Sequence, residues 1–278
     1  MMRTALVALV VGAVLTVLSS CGIRIMKYEF EDDHVVPEKF TSVRALTGSG
    51  DVSIRYQQGL TETRIHRKVE HGRDNKPTGV SHRVEGTTLV LDTCGNDCEI
   101  NYQIVVPNAD IAVVGEVGSG DVNFDGVASV DFLTGSGRVN VRDISGDVKV
   151  KTGSGDFTAT RVGGTVTGDL GSGRIELDAI KGKTLAHTSS GDIEGTALEN
   201  QVVADTGSGR IDLRLSAAKS VQVDTGSGDI TLRLPGGPYK VSGTSDNENR
   251  TINVPTDPNA SLELKLTSGS GEVRVVGV

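Results

Sequence analysis

The chain has 278 residues, a formal net charge of -8, 36 glycines, 3% aromatic residues and no tryptophan. This composition suits many tight turns between short strands and fits long helices poorly. The acidic balance argues against a nucleic-acid partner, which requires clustered lysines and arginines, and 36% hydrophobic residues argue against a disordered chain.

Residues 1–20 have the pattern of an export signal. Arg3 is followed by an apolar run from Ala5 to Leu18, which is short for a membrane-spanning helix. The run ends in the letters LSSC, which resemble a bacterial lipobox, and this resemblance implies that Cys21 is acylated and becomes the new N-terminus. The acyl chains would hold the chain on the outer face of the cell membrane. The alternative is an ordinary secretory signal cleaved nearby, with Cys21 incidental.

The rest of the chain is predicted to form a tether over residues 21–37, closed by Pro37, and one β-domain over residues 38–278. The domain divides by its sequence pattern into an early coil, an irregular segment of longer strands, regular coils and a C-terminal cap. These four parts are residues 38–59, 60–110, 111–234 and 235–278.

Two further cysteines, Cys94 and Cys98, lie in the irregular segment. Export favours a disulfide between them, and the intervening letters GND can form a tight turn that joins two strands in a hairpin. A zinc site would need further ligands, and the neighbouring sequence has no additional cysteine or histidine. Because the loop is short, the predicted crosslink stabilises the hairpin tip locally.

A Gly-Ser-Gly turn recurs at intervals of 17, 18, 18, 18, 18 and 19 residues between positions 118 and 226. Each unit contains two runs in which apolar and polar residues alternate, which predicts two strands with one buried face. Two strands cannot enclose a core alone, so the units must stack into a β-solenoid with about 18 residues per coil. The turns begin at Gly48, Gly118, Gly135, Gly153, Gly171, Gly207, Gly226 and Gly269, and a degenerate copy begins at Ser189.

The first apolar residue after each turn is predicted to point inward and to form a buried ladder along the solenoid. The ladder consists of Val122, Val139, Phe157, Ile175, Ile193, Ile211 and Ile230.

The residue that directly follows each turn alternates between aspartate and arginine. If one unit forms one coil, each aspartate lies beside an arginine of a neighbouring coil, and opposite charges in register stabilise a sheet. A coil of two units would stack like charges, so the alternation favours one unit per coil. The predicted charge ladder is Asp121, Arg138, Asp156, Arg174, Asp192, Arg210 and Asp229.

The units of the type TGSGDV resemble those of a bacterial putative-adhesin family of unknown function that is built from β-strand repeats. Many actinobacterial members look like exported lipoproteins and carry a C-x-x-x-C-x-x-x-Y pattern before a VP pair. The resemblance covers essentially all of the mature chain and implies a single-chain right-handed β-solenoid at the cell envelope, with no catalytic residues to transfer. It rests on residues 47–52, 152–157 and 225–230, and on Cys94, Cys98, Tyr102, Val106 and Pro107.

The glycine-rich turns are not expected to bind phosphate or calcium. In the GSGD copies an acid stands where an anion would bind, and no helix follows the turn. Calcium-binding β-rolls have a nine-residue period with aspartate in every copy, whereas Arg138, Arg174 and Arg210 would repel the ion here. No metal or cofactor is therefore predicted.

An envelope enzyme acting on a polysaccharide is the alternative function. Such an enzyme needs clustered acids, bases or metal ligands on one face, and the five histidines are scattered in the sequence, with His66 and His82 interpreted as surface-facing strand residues. The favoured function is a non-catalytic scaffold that contacts an unknown protein or polymer at the cell surface. The irregular segment 60–110 or the loop 235–260 is the expected contact surface, because loops carry specificity on a rigid scaffold.

Replacing Cys21 by alanine is expected to release the protein from membranes, because the acyl anchor is lost. Fractionation of cells followed by immunoblotting measures this. The matched control is Ser20→Ala, which keeps a small residue in the LSSC segment and should stay in the membrane fraction. Retention of the Cys21→Ala chain in membranes would refute acylation at this residue.

Overall fold

The structure is a computed structural model, and it describes residues 27–245 and 250–278. The predicted signal peptide and Cys21 lie outside the described residues. The described chain forms 25 strands and no helix, so no helix within it could cross a bilayer. The predicted all-β class is confirmed.

The strands are numbered in chain order. The first twelve are β1 (Tyr28–Val36), β2 (Ser42–Ser49), β3 (Val52–Tyr56), β4 (Thr63–His71), β5 (His82–Glu85), β6 (Thr88–Asp92), β7 (Cys98–Val106), β8 (Ala112–Ser119), β9 (Val122–Asp125), β10 (Ser129–Ser136), β11 (Val139–Ile144) and β12 (Val148–Ser154). The others are β13 (Phe157–Val162), β14 (Val166–Ser172), β15 (Ile175–Ile180), β16 (Thr184–Ser190), β17 (Ile193–Leu198), β18 (Val202–Ser208), β19 (Ile211–Leu215), β20 (Val221–Ser227), β21 (Ile230–Leu234), β22 (Tyr239–Ser242), β23 (Arg250–Asn253), β24 (Leu262–Ser268) and β25 (Val273–Gly277).

The strands form two long sheets, and each regular coil contributes one strand to each. Sheet I has the order β1-β4-β7-β3-β9-β11-β13-β15-β17-β19-β21-β25-β23, and sheet II has the order β22-β24-β20-β18-β16-β14-β12-β10-β8-β2-β6-β5. Neighbouring coils pair in parallel, so that Val122, Val139 and Phe157 are register neighbours. Since these partners are 17 and 18 residues apart in the chain, one unit forms one coil, and the predicted β-solenoid is confirmed.

One apolar core lies between the two sheets. Every residue of the predicted inward ladder from Val122 to Ile230 has no exposed surface, and the ladder continues to Val52 at one end and to Val273 at the other. Alternate residues of a strand point to opposite faces, so the period-two pattern places one apolar set inside each sheet. The β-branched residues that dominate this ladder suit the pleated, buried surface.

A buried threonine precedes most of the turns and binds backbone inside the core. The hydroxyl of Thr188 donates to the carbonyl of Gly173 at 3.1 Å, and that of Thr206 donates to the carbonyl of Gly191 at 3.0 Å. In both cases the carbonyl belongs to the preceding coil. The threonine hydroxyl thus gives a hydrogen bond to a backbone carbonyl that lies beside the apolar core, which explains why threonine precedes the glycine in the TGSG unit.

The N-terminal part of the domain differs from the prediction in two places. Residues 28–36, which the sequence predicts as part of the tether, form β1, which pairs antiparallel with β4 at the edge of sheet I. Its charged residues obscured an alternating pattern in which Phe30 and Val36 are packed and Glu31 is exposed.

The second difference concerns the predicted hairpin at Cys94 and Cys98. Strand β6 lies in sheet II and β7 in sheet I, so these two strands do not pair with each other. The bridged loop instead carries the chain from sheet II to sheet I, the same crossing that the Gly-Ser-Gly turns make in the regular coils. The local sequence shows a turn but not whether the flanking strands share a sheet.

The C-terminal coils are not stacked in chain order. Strand β24 lies between β20 and β22, and β25 lies between β21 and β23. The last unit of the chain therefore stacks directly on the regular coils, and the strands that precede it in the chain, β22 and β23, form the outer edge. The backbone N–H of Tyr239 donates to the carbonyl of Pro255 at 2.9 Å, and that of Asp257 donates to the carbonyl of Tyr239 at 3.0 Å. This proline-containing segment covers part of the outer edge of β22, which limits its pairing with other chains.

The first and third glycines of one turn face different constraints. Gly50 has a φ angle of +110°, and a Cβ atom there would lie 2.2 Å from the carbonyl oxygen of Ile100. A Cβ atom at Gly48 would meet nothing within 4 Å. In this end turn only the third glycine is therefore required by the stacking of the coils, whereas in the next turn a Cβ atom at the first glycine, Gly118, would also lie 2.3 Å from the carbonyl oxygen of Gly48.

Gly50→Ala is expected to lower the free energy of unfolding by at least about 2 kcal/mol, because a positive φ and a backbone clash are combined. Gly48→Ala is the matched control and should change it by no more than about 0.5 kcal/mol. Urea unfolding followed by circular dichroism measures both variants. Equal effects would contradict the assignment of the constraint to the third glycine.

Candidate functional site

The Gly-Ser-Gly turns stack along one long edge of the solenoid, which we call the turn edge. Their serines are in register from coil to coil, and those from Ser119 to Ser227 are exposed. The edge is consequently a narrow strip of backbone and hydroxyl groups that repeats once per coil. It consists of residues 48–50, 118–120, 135–137, 153–155, 171–173, 189–191, 207–209, 226–228 and 269–271.

The predicted charge ladder borders the turn edge, with one residue on each coil. The first pair makes both a backbone and a side-chain contact. The backbone N–H of Arg138 donates to Oδ1 of Asp121 at 2.9 Å, and its Nη2 donates to Oδ2 at 2.7 Å. This pair has the geometry expected of the ladder.

In the next pair only the backbone contact recurs. The backbone N–H of Arg174 donates to Oδ1 of Asp156 at 2.9 Å, but its guanidinium is 3.4 Å from Oε1 of Glu176. The third pair is intermediate, since the N–H of Arg210 donates to Oδ1 of Asp192 at 2.8 Å while Nη2 is 3.6 Å from Oδ2. In all three pairs the aspartate carboxylate accepts a hydrogen bond from a backbone N–H of the next coil.

The same bond forms where no arginine follows. The backbone N–H of Asp121 donates to Oδ1 of Asp51 at 2.8 Å, although both side chains are acidic. The N–H of Glu272 likewise donates to Oδ1 of Asp229 at 2.8 Å. The aspartates therefore act first as acceptors for a backbone amide. The charge pattern of the sequence does not predict this role, and in the chain residues 60–110 also separate Asp51 from Asp121, its neighbour in the solenoid.

The electrostatics of the first pair follow from these contacts. The backbone N–H of Arg138 lowers the pKa of the Asp121 carboxyl most, partial burial opposes this effect, and the guanidinium of Arg138 lowers the pKa further. A carboxyl whose pKa is lowered by folding stabilises the fold above its unfolded pKa of about 3.9, and this contribution is lost as the pH falls through the lowered value. The effect is modest because the side chain is partly exposed.

Asp121→Ala is expected to lower the free energy of unfolding by about 1 kcal/mol, because the amide of Arg138 loses its acceptor. Arg138→Ala keeps that bond and removes only the exposed ion pair, so its effect should be smaller and should vanish at high salt. Urea unfolding at low and high salt distinguishes the two. A larger effect for Arg138→Ala would show that charge pairing is the main contribution.

The predicted disulfide is present. Cys94 and Cys98 are bonded, with their Cα atoms 5.7 Å apart, and both side chains are half-buried. The backbone N–H of Gly72 donates to the carbonyl of Asp97 at 3.0 Å, which ties the bridged loop to the end of β4. This loop takes the place of a Gly-Ser-Gly turn in the outer N-terminal coil.

The described residues do not bring together a set of metal ligands. Within residues 27–245 and 250–278, no group of three histidine, cysteine, aspartate or glutamate side chains could hold a metal ion. A cavity of about 520 Å³ lies beside the end of β1. Its lining contains the carboxylates Glu38 and Glu62 and the amine of Lys39 but no histidine or cysteine.

A polar cluster replaces the apolar core at the N-terminal end, and we call it the inter-sheet cluster. It consists of Asp32, His34, Arg67, Ser81, His82 and Tyr102. Arg67 is only 3% exposed, and it binds Asp32 through Nε at 2.7 Å and Nη2 at 2.5 Å. Its Nη1 donates to Oγ of Ser81 at 2.7 Å.

Tyr102 completes the inter-sheet cluster from sheet I. Its hydroxyl lies 2.6 Å from Oγ of Ser81 and 2.8 Å from the carbonyl oxygen of Asp92. The hydroxyl can donate its single proton to either of these two oxygens. Burial raises the pKa of Tyr102 to about 12. This tyrosine is the one matched by the family pattern in the sequence, and the structure shows that it joins the two sheets.

The interpretation of His82 as a surface-facing residue is wrong. His82 is half-buried, and its ring centroid is 4.9 Å from that of His34. The two histidines are far apart in the sequence but belong to β1 and β5, the outermost strands at the same end of the two sheets. His66 differs from them, because it lies on the outer face with Nδ1 2.9 Å from Oδ1 of Asp33.

Two parallel sheets, built from stacked two-strand coils with Gly-Ser-Gly turns, define a β-solenoid protein. The family model described as Toastrack DUF4097 matches residues 34–233 and 169–276. The chain therefore belongs to the Toastrack family, which confirms the resemblance to a family of β-strand repeats. No curated protein matches the chain.

Three solved structures align with most of this chain. A putative adhesin from Bacteroides fragilis is 18% identical, with a TM-score of 0.42, over 92% of this chain and 100% of that chain. A putative cell adhesion protein from Clostridium sporogenes is 11% identical, with a TM-score of 0.28, over 90% and 100%. A putative adhesin from Parabacteroides merdae is 10% identical, with a TM-score of 0.30, over 89% and 96%.

Proposed function

We propose that the chain is a non-catalytic scaffold of the cell envelope that binds a repetitive protein or polymer along its turn edge, in place of the irregular segment 60–110 or the loop 235–260 expected from the sequence. The observation that carries this proposal is the register of the turn edge, where the exposed serines of successive coils lie side by side. Adjacent strands are about 4.8 Å apart, so the hydroxyls repeat at that spacing. A repetitive ligand could make the same weak contact with many coils, and linked contacts add up to avidity.

The rigidity of the turn edge supports this role. Each turn is bonded to the next coil through its backbone, for example Gly173 N–H to the carbonyl of Ser190 at 3.0 Å and Gly191 N–H to that of Ser208 at 2.9 Å. The aspartate acceptors add a second bond at alternate coils. A surface held in this way loses little conformational entropy when it binds.

Lipid anchoring through Cys21 is part of the same proposal. Strand β1 begins at Tyr28, so the chain from Cys21 to Tyr28 can span at most about 25 Å. An acylated Cys21 would hold the end of the solenoid that carries β1 near the membrane. The regular coils with the longest part of the turn edge would then extend away from the anchor.

Crosslinking of intact envelopes followed by purification of the protein tests the proposal. Recovery of one dominant partner is expected for the natural sequence. Ser154→Lys, Ser172→Lys and Ser190→Lys together are expected to reduce this recovery at least tenfold, because three neighbouring contacts are lost. The control carries Thr158→Lys, Thr196→Lys and Gln222→Lys on the outer faces of the sheets and should recover the partner fully.

Two results would contradict the proposal. Equal recovery from both triple variants would show that the turn edge is not the contact surface. If an activity that degrades an envelope polysaccharide persists after repurification of the protein, the alternative function of an envelope enzyme would be favoured.

A further inference from the structure

The inter-sheet cluster joins the two sheets at their N-terminal end. Asp32 and His34 come from β1 and Arg67 from β4 in sheet I, whereas Ser81 and His82 come from the start of β5 in sheet II. Strands β1 and β5 are the outermost strands of their sheets at this end. The contact between His34 and His82 therefore closes the end of the solenoid.

The two imidazole rings pack in a way that suits their neutral forms. Their centroids are 4.9 Å apart and their planes are inclined by 61°, an edge-to-face arrangement. Nδ1 of His82 is shielded from solvent and has no hydrogen-bond partner. Nε2 of His34 is also shielded, and it lies 3.0 Å from Oδ1 of Asp32 outside hydrogen-bond geometry.

The charged groups around the two rings do little to stabilise a positive charge on His82. On β1 and β4, the single carboxylate of Asp32 is already bound in bidentate fashion by the permanent cation Arg67. On β5 and β6, Arg83 is bound to Glu85 and Asp92.

The remaining neighbours do not change this balance. Tyr102 on β7 is neutral across the physiological range, since its pKa is about 12. Glu38, in the segment after β1, raises the pKa of His82 less than Asp32 does. The inter-sheet cluster is thus electrically balanced while both histidines are neutral.

We propose that the His34–His82 pair is an acid-sensitive latch between the two sheets, closed when both rings are neutral and opened when His82 is protonated. An imidazolium at His82 is repelled by the guanidinium of Arg67, and its shielded Nδ1 has no acceptor to which it could donate. Opening separates β1 from β5 and weakens both outer strands. Their release uncovers the edges of β4 and β6, which are templates for strand addition by another chain.

The direction of the pH effect agrees with this geometry. Burial lowers the pKa of His82 most, and the neighbouring His34 and Arg67 lower it further, against smaller opposing effects of the Asp32 and Glu38 carboxylates. A histidine whose pKa is lowered by folding stabilises the fold fully above its unfolded pKa of about 6.5, and this contribution is lost as the pH falls below that value. Carboxylates titrate near pH 4, so a change between pH 7.5 and 5.0 is due to histidine.

Hydrogen exchange measured by mass spectrometry tests the latch, with exchange times corrected for the intrinsic effect of pH. Peptides that contain β1 and β5 are expected to lose at least tenfold in protection between pH 7.5 and pH 5.0. Peptides from β13 to β17 serve as the internal reference and should not change. Unchanged protection of β1 and β5 would overturn the proposal.

Substitutions identify the histidines responsible. His34→Gln together with His82→Gln should abolish the pH dependence of exchange in β1 and β5. The control, His66→Gln with His187→Gln, removes two histidines that are paired with carboxylates on the outer faces. This control should retain the pH dependence of exchange in β1 and β5. Persistence of the opening in the first double variant would overturn the proposal.

A titration of the unmodified protein provides a result that does not depend on the folding of any variant. The C2 proton of each imidazole reports its protonation by nuclear magnetic resonance. His82 is expected to titrate below pH 6.5, in step with the loss of protection in β1 and β5. A midpoint for His82 at or above 6.5 would overturn the latch.

Discussion

The close stacking of one backbone turn on the next is the constraint on which the rest of the structure depends. A Cβ atom at Gly137 would lie 2.1 Å from the carbonyl oxygen of Gly120 in the preceding coil, so only glycine allows the turns to approach this closely. Once the turns are in register, the strands that follow them are in register as well. The inward ladder, the buried threonines and the exposed serines all repeat because the turns do. Coils of 17 and of 19 residues both keep this register, because the strand after each turn still pairs residue by residue with the strand of the neighbouring coil.

The aspartates beside the turns bind the backbone of the next coil more consistently than they bind the arginine side chains. Asp121, Asp156 and Asp192 all accept the amide of the following coil, but their contacts with the arginine side chains differ. Asp51 makes the same bond to another aspartate. Exposed ion pairs contribute little and tolerate variation, whereas a bond to a backbone amide needs an acceptor at that position. The hydrogen bond to the backbone amide is therefore the constant element of the ladder, and the contacts of the arginine side chains vary from coil to coil.

The two ends of the solenoid depart from the repeat because an end coil has an uncovered edge. At the C-terminal end a proline-containing segment pairs with Tyr239 and covers part of β22. At the N-terminal end the antiparallel β1 and the inter-sheet cluster take that place. A polar cluster between sheets is stable only while its groups are paired and its charges balanced. The regular coils thus supply a rigid surface, and the N-terminal end supplies a region that can respond to its surroundings.

The sequence alone determined the coil, because its signals lie within about 18 neighbouring residues. The spacing of the turns, the inward ladder from Val122 to Ile230 and the pairing of Cys94 with Cys98 all follow from such local patterns. The tertiary structure alone decided which strands lie at the ends: β1 joined the sheet, and the last unit was inserted beneath the one before it. It also brought His34 to His82. These pairings join segments far apart in the chain, so they depend on the closure of long loops and on the covering of open edges, which no local pattern encodes.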